Sequence, residues 1–286
     1  MYKSLLYVPA SRDDFIAKAA SRNADAIILD LEDSVAPNEK IKSRDKLGVN
    51  IPLCAAEGAD IWVRINRPLR LAIPDMEAAI RNGAKGILLT KAESAEHIRL
   101  MSETASEIER EIGRADKLLI IAMIESPGAI ELAPSIAKAD PRVIGLLVGS
   151  EDLATAMGGK PTPEMLRTPK LLVHIAAKAA GINSFGLLGT VADYNNVELI
   201  KQLIIEARIH GIDGATCVHP SIVPLLNAGF APSPAEIDEA RRIVEGDRDH
   251  KAKGIGAFAL DGRMIDEPVV QRALNLLERA GRSTKG

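Results

Sequence analysis

The chain alternates short, continuously apolar runs with longer segments of helical periodicity. Eight of the apolar runs have the length of a β-strand, and most of them lack the polar–apolar alternation of a half-exposed strand. Continuous runs of this kind are typical of parallel strands that are covered on both faces. The predicted strands are 4–10, 26–32, 60–66, 86–92, 118–126, 143–150, 182–188 and 214–220.

Helix-like segments separate these runs, so that the repeating unit is a strand followed by a helix. The clearest helical segments are 13–22, 95–111, 164–180 and 193–210. Eight near-regular units without a glycine-rich dinucleotide motif favour an α/β fold of the TIM (β/α)8 barrel type. A doubly wound open sheet and two smaller α/β units are the alternatives.

The last part of the chain has a different pattern and predicts a C-terminal extension. Residues 233–249 form a polar helical segment that opens with Ser-Pro-Ala-Glu, a sequence typical of a capping box. A glycine-rich stretch at 254–266 predicts a hairpin turning at Asp261-Gly262, and 268–280 predicts a closing helix. We therefore expect a barrel over 1–230 and an extension over 231–286, which is either a clasp on its own barrel or an arm onto a neighbouring subunit.

Composition and charge exclude several classes of function. The 286 residues include one Trp, three Tyr and four Phe, which leaves few rings for stacking on single-stranded nucleic acid. The net charge is −3 without a polybasic stripe, so we expect no nucleic-acid partner. No apolar run reaches the length of a membrane span, and no signal-peptide pattern is present. Two cysteines far apart favour a reducing cytoplasm.

Candidate chemistry follows from the rule that barrel enzymes place their active sites at the carboxyl ends of the strands. Glu125 and Asp152 follow two neighbouring strands and would lie within reach of one hard cation such as Mg²⁺. The alternative is that each acid caps the helix that follows it. The charged residues at these strand ends are Glu32, Asp33, Arg64, Lys91, Glu125, Glu151, Asp152 and His219.

The basic residues among them have two interpretations each. Arg64 lies within an apolar strand and would bind a substrate carboxylate or phosphate, or be neutralised by Glu32 or Asp33. Lys91 is either a Schiff-base nucleophile or an electrostatic partner of the acids. His219 is either a base or a structural histidine that bonds the backbone. The free N–H groups at 149–152, with Glu151, are candidates for holding a substrate.

Several motifs resemble those of the citrate lyase β subunit and its relatives in the HpcH/HpaI aldolase/citrate lyase family. The resemblance implies a TIM barrel that forms trimers or multiples of three, with Mg²⁺ in the site. It implies a carbon–carbon lyase that cleaves or forms a bond between an acyl-CoA and a 2-keto acid such as oxaloacetate or glyoxylate. The matching segments are 4–9, 28–37, 63–66, 90–94, 124–128, 149–153, 219–220 and 256–266.

The resemblance also implies roles for individual residues. Glu125 and Asp152 would be the metal ligands, and Arg64 would bind the carboxylate of the keto acid. Asp266 would be the acid/base group, reaching the site of a neighbouring subunit. Glu32 and Asp33, next to the metal ligands, would act on metal-bound water, and Lys91 would support the site without reacting itself.

Three departures from the family pattern bear on the acyl-CoA partner. Ala10 replaces a glycine, Ala215-Thr216 replaces a Gly-Lys pair, and 183–186 lacks an expected Asp. A metal-dependent 2-keto acid aldolase without CoA is therefore one alternative, although simpler aldolases lack the segment with Asp266. A non-catalytic keto-acid-binding barrel subunit is another, but the joint retention of the metal, arginine and acid/base residues argues against it.

Overall fold

The barrel predicted from the sequence is present in the structure, a computed structural model that describes residues 2–190 and 194–283. Eight parallel strands lie in the order β7-β6-β5-β4-β3-β2-β1-β8. A bridge between Phe185 and Gly214 links the two outermost strands and closes the ring. The strands are β1 Ser4–Pro9, β2 Ala26–Asp30, β3 Asp60–Ile65, β4 Gly86–Leu89, β5 Leu119–Ile124, β6 Val143–Val148, β7 Asn183–Phe185 and β8 Ala215–Cys217.

Helices connect the strands around the outside, as the alternating pattern predicted. The described part of the predicted helix 193–210 begins at Val197, and Asp193 lies outside the described residues. None of the described helices is long and apolar enough to cross a membrane. The helices are α1 Asp13–Ala19, α2 Lys40–Asp45, α3 Leu47–Cys54, α4 Leu69–Arg81, α5 Ala95–Ile112, α6 Pro127–Ala137, α7 Ser150–Ala156, α8 Pro163–Ala179, α9 Val197–His210, α10 Val223–Phe230, α11 Pro234–Lys251 and α12 Glu267–Ser283.

The predicted strands are longer than the observed ones, mainly at their carboxyl ends. The run 214–220 contains only the strand Ala215–Cys217, because Pro220 opens a 3-10 turn. In the run 118–126 the strand ends at Ile124, because Ser126 is already the N-cap residue of α6. The chain therefore leaves the sheet earlier than the run of residues in the sequence predicts.

The barrel interior is mainly aliphatic, as the scarcity of aromatic residues predicted, but four of the chain's eight aromatic side chains also pack there, namely Trp62, Phe185, Tyr2 and Tyr7. Its core contains Leu5, Ile28, Leu88, Ile121 and neighbouring apolar side chains, all nearly inaccessible to solvent. The single tryptophan, Trp62, is fully buried there. A side chain at Gly86 on the adjacent strand would collide with its ring, so the small residue makes room for the large one.

Residues 2–227 and 228–283 form two compact units. The second contains the predicted hairpin, with strands β9 Phe258–Leu260 and β10 Arg263–Ile265 paired antiparallel. Asp261 and Gly262 both have positive φ, at 50° and 77°, as a two-residue hairpin turn requires. The predicted capping box at Ser233 is confirmed, and helices α11 and α12 pack around a small apolar core.

Gly214→Ala is expected to destabilise the barrel by about 1–3 kcal/mol. A methyl group there would collide with the backbone carbonyl of Tyr2, and neither backbone can yield because Gly214 also accepts a hydrogen bond from Gly186 N. Urea-induced unfolding measures the effect. Gly128→Ala is the control, since that glycine lies in α6 with open space around it and alanine favours helix. Equal stability of the two variants would contradict the prediction.

Candidate active site

Charged side chains from five strand ends converge at one end of the barrel. Lys91 Nζ lies 3.3 Å from Glu32 Oε1 and 3.4 Å from Asp152 Oδ1. Its backbone N–H donates to Glu125 Oε2 at 2.6 Å, and Arg64 Nη1 lies 3.0 Å from Glu32 Oε2. The structure thus brings together five of the residues that the sequence singled out.

Glu125 is the most deeply placed of these acids. Only 3% of it is exposed, and a side chain at Gly149 would collide with its carboxylate. Burial, together with the negative charges of Glu32 and Asp152, raises the pKa of Glu125 to about 7. The Lys91 N–H opposes the shift without cancelling it. This carboxylate is therefore under-compensated and suited to a cation.

Neither Glu125 nor Asp152 caps the helix that follows it, so the capping alternative is wrong for both. The cap of α6 is Ser126, whose hydroxyl accepts from Ala129 N. Helix α7 begins at Ser150, its N-cap residue Gly149 has no side chain to cap it, and Asp152 lies in its first turn. The two carboxylates are therefore free of the structural role that would explain them most simply.

Arg64 has a principal partner that sequence reasoning missed. Its Nε and Nη2 each donate to Asp30 at 2.7 Å, a bidentate pair, while Asp33 Oδ2 lies 3.4 Å from Nη1. Burial alone lowers the pKa of Arg64, but Asp30 outweighs it and holds that pKa above its usual value. Glu32 and Asp33 therefore contribute to the neutralisation of Arg64, but Asp30 is its main partner. Only the structure shows this partner, because Asp30 and Arg64 meet through the register of β2 and β3, which the sequence pattern does not encode.

The loop that carries Glu32 is held from three directions. Asp30 accepts from the backbone N–H of Glu32 at 2.8 Å. Lys40 Nζ donates to the carbonyl oxygens of Leu31 and Glu32, and Asn66 Nδ2 also donates to Leu31 O. Burial raises the pKa of Glu32, although Arg64 and Lys91 act against the shift. Lys40 belongs to no motif identified in the sequence, so only the structure shows that it holds this loop.

Lys91 has the character of an electrostatic partner. Burial lowers the pKa of its ammonium, but Glu32, Glu125 and Asp152 together raise it above the usual value. A Schiff-base nucleophile requires a neutral amine. The surroundings of Lys91 therefore disfavour that alternative.

Glu151, a further candidate, contacts the loop after β7. Glu151 accepts a hydrogen bond from Thr190 Oγ1 at 2.6 Å, which ties α7 to the loop after β7. The same loop is held by Lys170, whose Nζ donates to Leu187 O and Gly189 O and whose burial lowers its pKa to about 7. The substrate-binding role of Glu151 stays a prediction.

His219 has a structural role in this fold. Its Nδ1 accepts from the backbone N–H of Ser221 and so caps the 3-10 turn after β8. Its ring stacks on Tyr194, with ring centroids 4.6 Å apart. The structural interpretation therefore accounts for His219, although its backbone partner is an N–H and not a carbonyl.

Asp266 belongs to the second compact unit, residues 228–283. It is partly buried, and its Oδ1 accepts from Val269 N at 3.3 Å at the start of α12. This contact is a helix cap, which does not require the second carboxylate oxygen. The acid/base role of Asp266 stays a prediction.

The chemistry of the carboxylate pair fits Mg²⁺. Within residues 2–190 and 194–283, no three Asp, Glu, His or Cys side chains form a ready-made metal cage. Mg²⁺ does not need one, because it is commonly held by one or two carboxylates together with water and substrate oxygens. Glu125 and Asp152 are two carboxylates at one end of the barrel, and burial raises the pKa of Glu125 because its negative charge is poorly compensated there.

The sequence is similar to a known protein family and to two of its characterised relatives. The family described as HpcH/HpaI aldolase/citrate lyase matches residues 3–220. Citrate lyase subunit beta of Haemophilus influenzae is 33% identical over 97% of this chain and 96% of its own. The (3S)-malyl-CoA thioesterase of Cereibacter sphaeroides is 30% identical over 98% and 94%.

A solved structure extends the similarity to three dimensions. CitE from Mycobacterium tuberculosis, in complex with magnesium, acetoacetate and coenzyme A, has a TM-score of 0.78 and 31% identity. The match covers 97% of both chains. The resemblance inferred from the motifs is thereby confirmed, together with the enzyme class of a carbon–carbon lyase. The chain belongs to the HpcH/HpaI aldolase/citrate lyase family.

Proposed function

We propose that this protein is a Mg²⁺-dependent lyase that splits a 3-hydroxyacyl-CoA into an acyl-CoA and a 2-keto acid, or joins them. The convergence of Glu125 and Asp152 beside Arg64 is the observation that carries the proposal. The names of the relatives support it, since they include a citrate lyase subunit and a malyl-CoA thioesterase. The similar CitE structure binds magnesium, acetoacetate and coenzyme A.

Each residue has a part in the proposed cleavage. Asp266 takes the proton of the substrate hydroxyl, and the oxygen becomes the keto oxygen as the carbon–carbon bond breaks. The electron pair of that bond passes to the thioester portion as an enolate, which takes a proton from water to give the acyl-CoA, while Asp266 releases its proton to the solvent. Arg64, held in place by Asp30, orients the carboxylate of the keto acid. When bound to Glu125 and Asp152, Mg²⁺ would supply Lewis-acid stabilisation of the developing negative charge. Glu32 and Asp33 hold water at the same end of the barrel.

The proposal includes an assembly of three subunits or a multiple of three, in which Asp266 of one subunit serves the site of another. The position of Asp266 outside the barrel unit supports this arrangement. We also place the protein in the cytoplasm, since Cys54 and Cys217 are both free and buried, as in a reducing compartment.

A thermal-shift panel with Mg²⁺, oxaloacetate or glyoxylate, and acetyl-CoA or propionyl-CoA tests the function. We expect a keto acid to stabilise the protein only with Mg²⁺, and one thioester to add to the effect. Stabilisation by a keto acid without any response to thioesters would favour the CoA-free aldolase, which the Ala215-Thr216 departure suggests. No response to any keto acid would refute both.

Asp266→Asn tests the acid/base role separately, because Asn caps a helix as well as Asp does. We expect lyase turnover of citryl-CoA or malyl-CoA to fall by at least about 100-fold without loss of thermal stability. Glu267→Gln is the matched control, since Glu267 is the next acid in the chain and pairs with Lys251 on the surface. Unchanged turnover in Asp266→Asn would exclude that residue as the acid/base group.

Mg²⁺ binding is expected to weaken as the pH falls below about 7, the pKa of Glu125. The metal binds the ionised carboxylate, so at lower pH it must displace a proton and its affinity falls about tenfold per pH unit. Above pH 7 the affinity levels off. Calorimetric titration at pH 6, 7 and 8, in buffers of different ionisation enthalpy, measures both the affinity and the released proton. A pH-independent affinity over this range would contradict the assignment of Glu125 as a ligand.

A further inference from the structure

Lys91 contacts three carboxylates of the site, including both of the proposed metal ligands. Its backbone N–H bonds Glu125, while its ammonium lies between Glu32 and Asp152, 3.3 and 3.4 Å away. These three acids follow β2, β5 and β6, so the ammonium links opposite parts of the barrel mouth. A single positive charge thus stands among the groups proposed to bind Mg²⁺.

The two cations of the site differ in how firmly they are held. Arg64 is fixed by its bidentate pair with Asp30, and its side chain is only 13% exposed. The Lys91 side chain is 34% exposed, and its ion pairs are longer. A lysine ammonium is a point charge on a flexible stem. Lys91 is therefore the cation that can leave the carboxylates.

The backbone of Lys91 adds a second observation. Its φ of +48° lies in the left-handed region, where long side chains are uncommon and glycine is favoured. That conformation directs the N–H at Glu125, which glycine would do with less strain. Non-glycine residues held in such conformations cluster at functional sites. The hydrogen bond to Glu125 explains the left-handed backbone of Lys91. It does not explain why the residue has a long, charged side chain at this position.

We propose that Lys91 is a resident counter-ion of the metal-ligand carboxylates, which holds Asp152 and Glu32 in the metal-free protein and moves off Asp152 when a divalent cation binds. The inference rests on the proposed Mg²⁺ site. A metal ion bound to Asp152 would repel the nearby ammonium, so the ammonium and the metal compete for this carboxylate. Lys91 therefore weakens Mg²⁺ binding and keeps the ion exchangeable.

Calorimetric titration of the full-length protein with Mg²⁺ alone, at pH 8, tests the inference. We expect Lys91→Met to lower the Kd for Mg²⁺ by about tenfold or more, because it removes a positive charge close to the ion. Lys91→Arg, the matched control, keeps the charge and should bind with the Kd of the wild type. Lys91→Gly keeps the N–H to Glu125, suits the backbone and should tighten binding as Lys91→Met does.

Thermal unfolding gives a readout that is independent of turnover. Without metal, Lys91→Met should unfold at a lower temperature than the wild type, and Mg²⁺ should stabilise it by a larger increment. Equal or weaker Mg²⁺ binding by both neutral variants, with cooperative unfolding retained, would overturn the role of Lys91 but not the metal site. Absence of Mg²⁺ binding by every protein, with or without oxaloacetate, would overturn the metal site itself.

Discussion

Glu125→Gln is expected to lower the affinity for Mg²⁺ by at least about 100-fold and to abolish lyase turnover while the protein stays folded. Glutamine has the shape of glutamate and can still accept from Lys91 N, but it lacks the charge that binds a hard cation. Calorimetric Mg²⁺ titration and turnover of an acyl-CoA substrate measure the two losses. Asp152→Asn should act in the same direction.

The stability of Glu125→Gln separates a lost ligand from a damaged fold. Since burial raises the pKa of Glu125 to about 7, the folded protein above that pH holds a charge that its surroundings disfavour. The stability that this group contributes is therefore lost as the pH rises from the pKa of Glu125 in the unfolded chain through about 7, its pKa in the folded protein. Without metal at pH 8, the variant should be at least as stable as the wild type.

Glu93→Gln is the matched control for this experiment. Glu93 follows the same strand as Lys91, but it is exposed and its carboxylate accepts a hydrogen bond from Ser126 Oγ. It should bind Mg²⁺ like the wild type. Full Mg²⁺ affinity in Glu125→Gln would show that the metal, if bound, uses other ligands.

Asp30→Asn is expected to cost about 3–5 kcal/mol of unfolding free energy, because it leaves the guanidinium of Arg64 buried without its bidentate partner. Denaturant unfolding measures the loss. Asp33→Asn is the control, since Asp33 is exposed and 3.4 Å from the same guanidinium, and an exposed pair contributes about 1 kcal/mol or less. Similar losses in both would contradict the assigned importance of Asp30.

The double variant Asp30→Asn/Arg64→Met distinguishes an unpaired charge from lost packing. Removing the guanidinium should restore much of the stability, because the unpaired guanidinium is then gone and buried Glu32 keeps its ion pair with Lys91. Keto-acid binding should remain lost, since it needs both the guanidinium and the orientation that Asp30 imposes. Recovery of Mg²⁺-dependent oxaloacetate binding in the double variant would show that Arg64 does not hold the substrate.

The barrel and the location of the site followed from the sequence because both depend on local pattern. Continuous apolar runs separated by helical segments define parallel strands, and parallel strands place all their carboxyl ends at one end of a barrel. Glu32, Arg64, Lys91, Glu125 and Asp152 each stand at a strand end in the printed sequence. Predicting that these residues converge did not require knowing which strands are neighbours in the barrel.

The partners within the site depended on the tertiary structure. Asp30 meets Arg64 because of the register between β2 and β3, which contacts across the whole barrel determine. The left-handed backbone of Lys91 and the bond of Glu151 to Thr190 likewise depend on segments distant in sequence. The sequence by itself therefore determined the barrel, its active end and the charged residues gathered there. Only the tertiary structure decided which charges pair, because periodicity encodes burial and direction but not register or side-chain geometry.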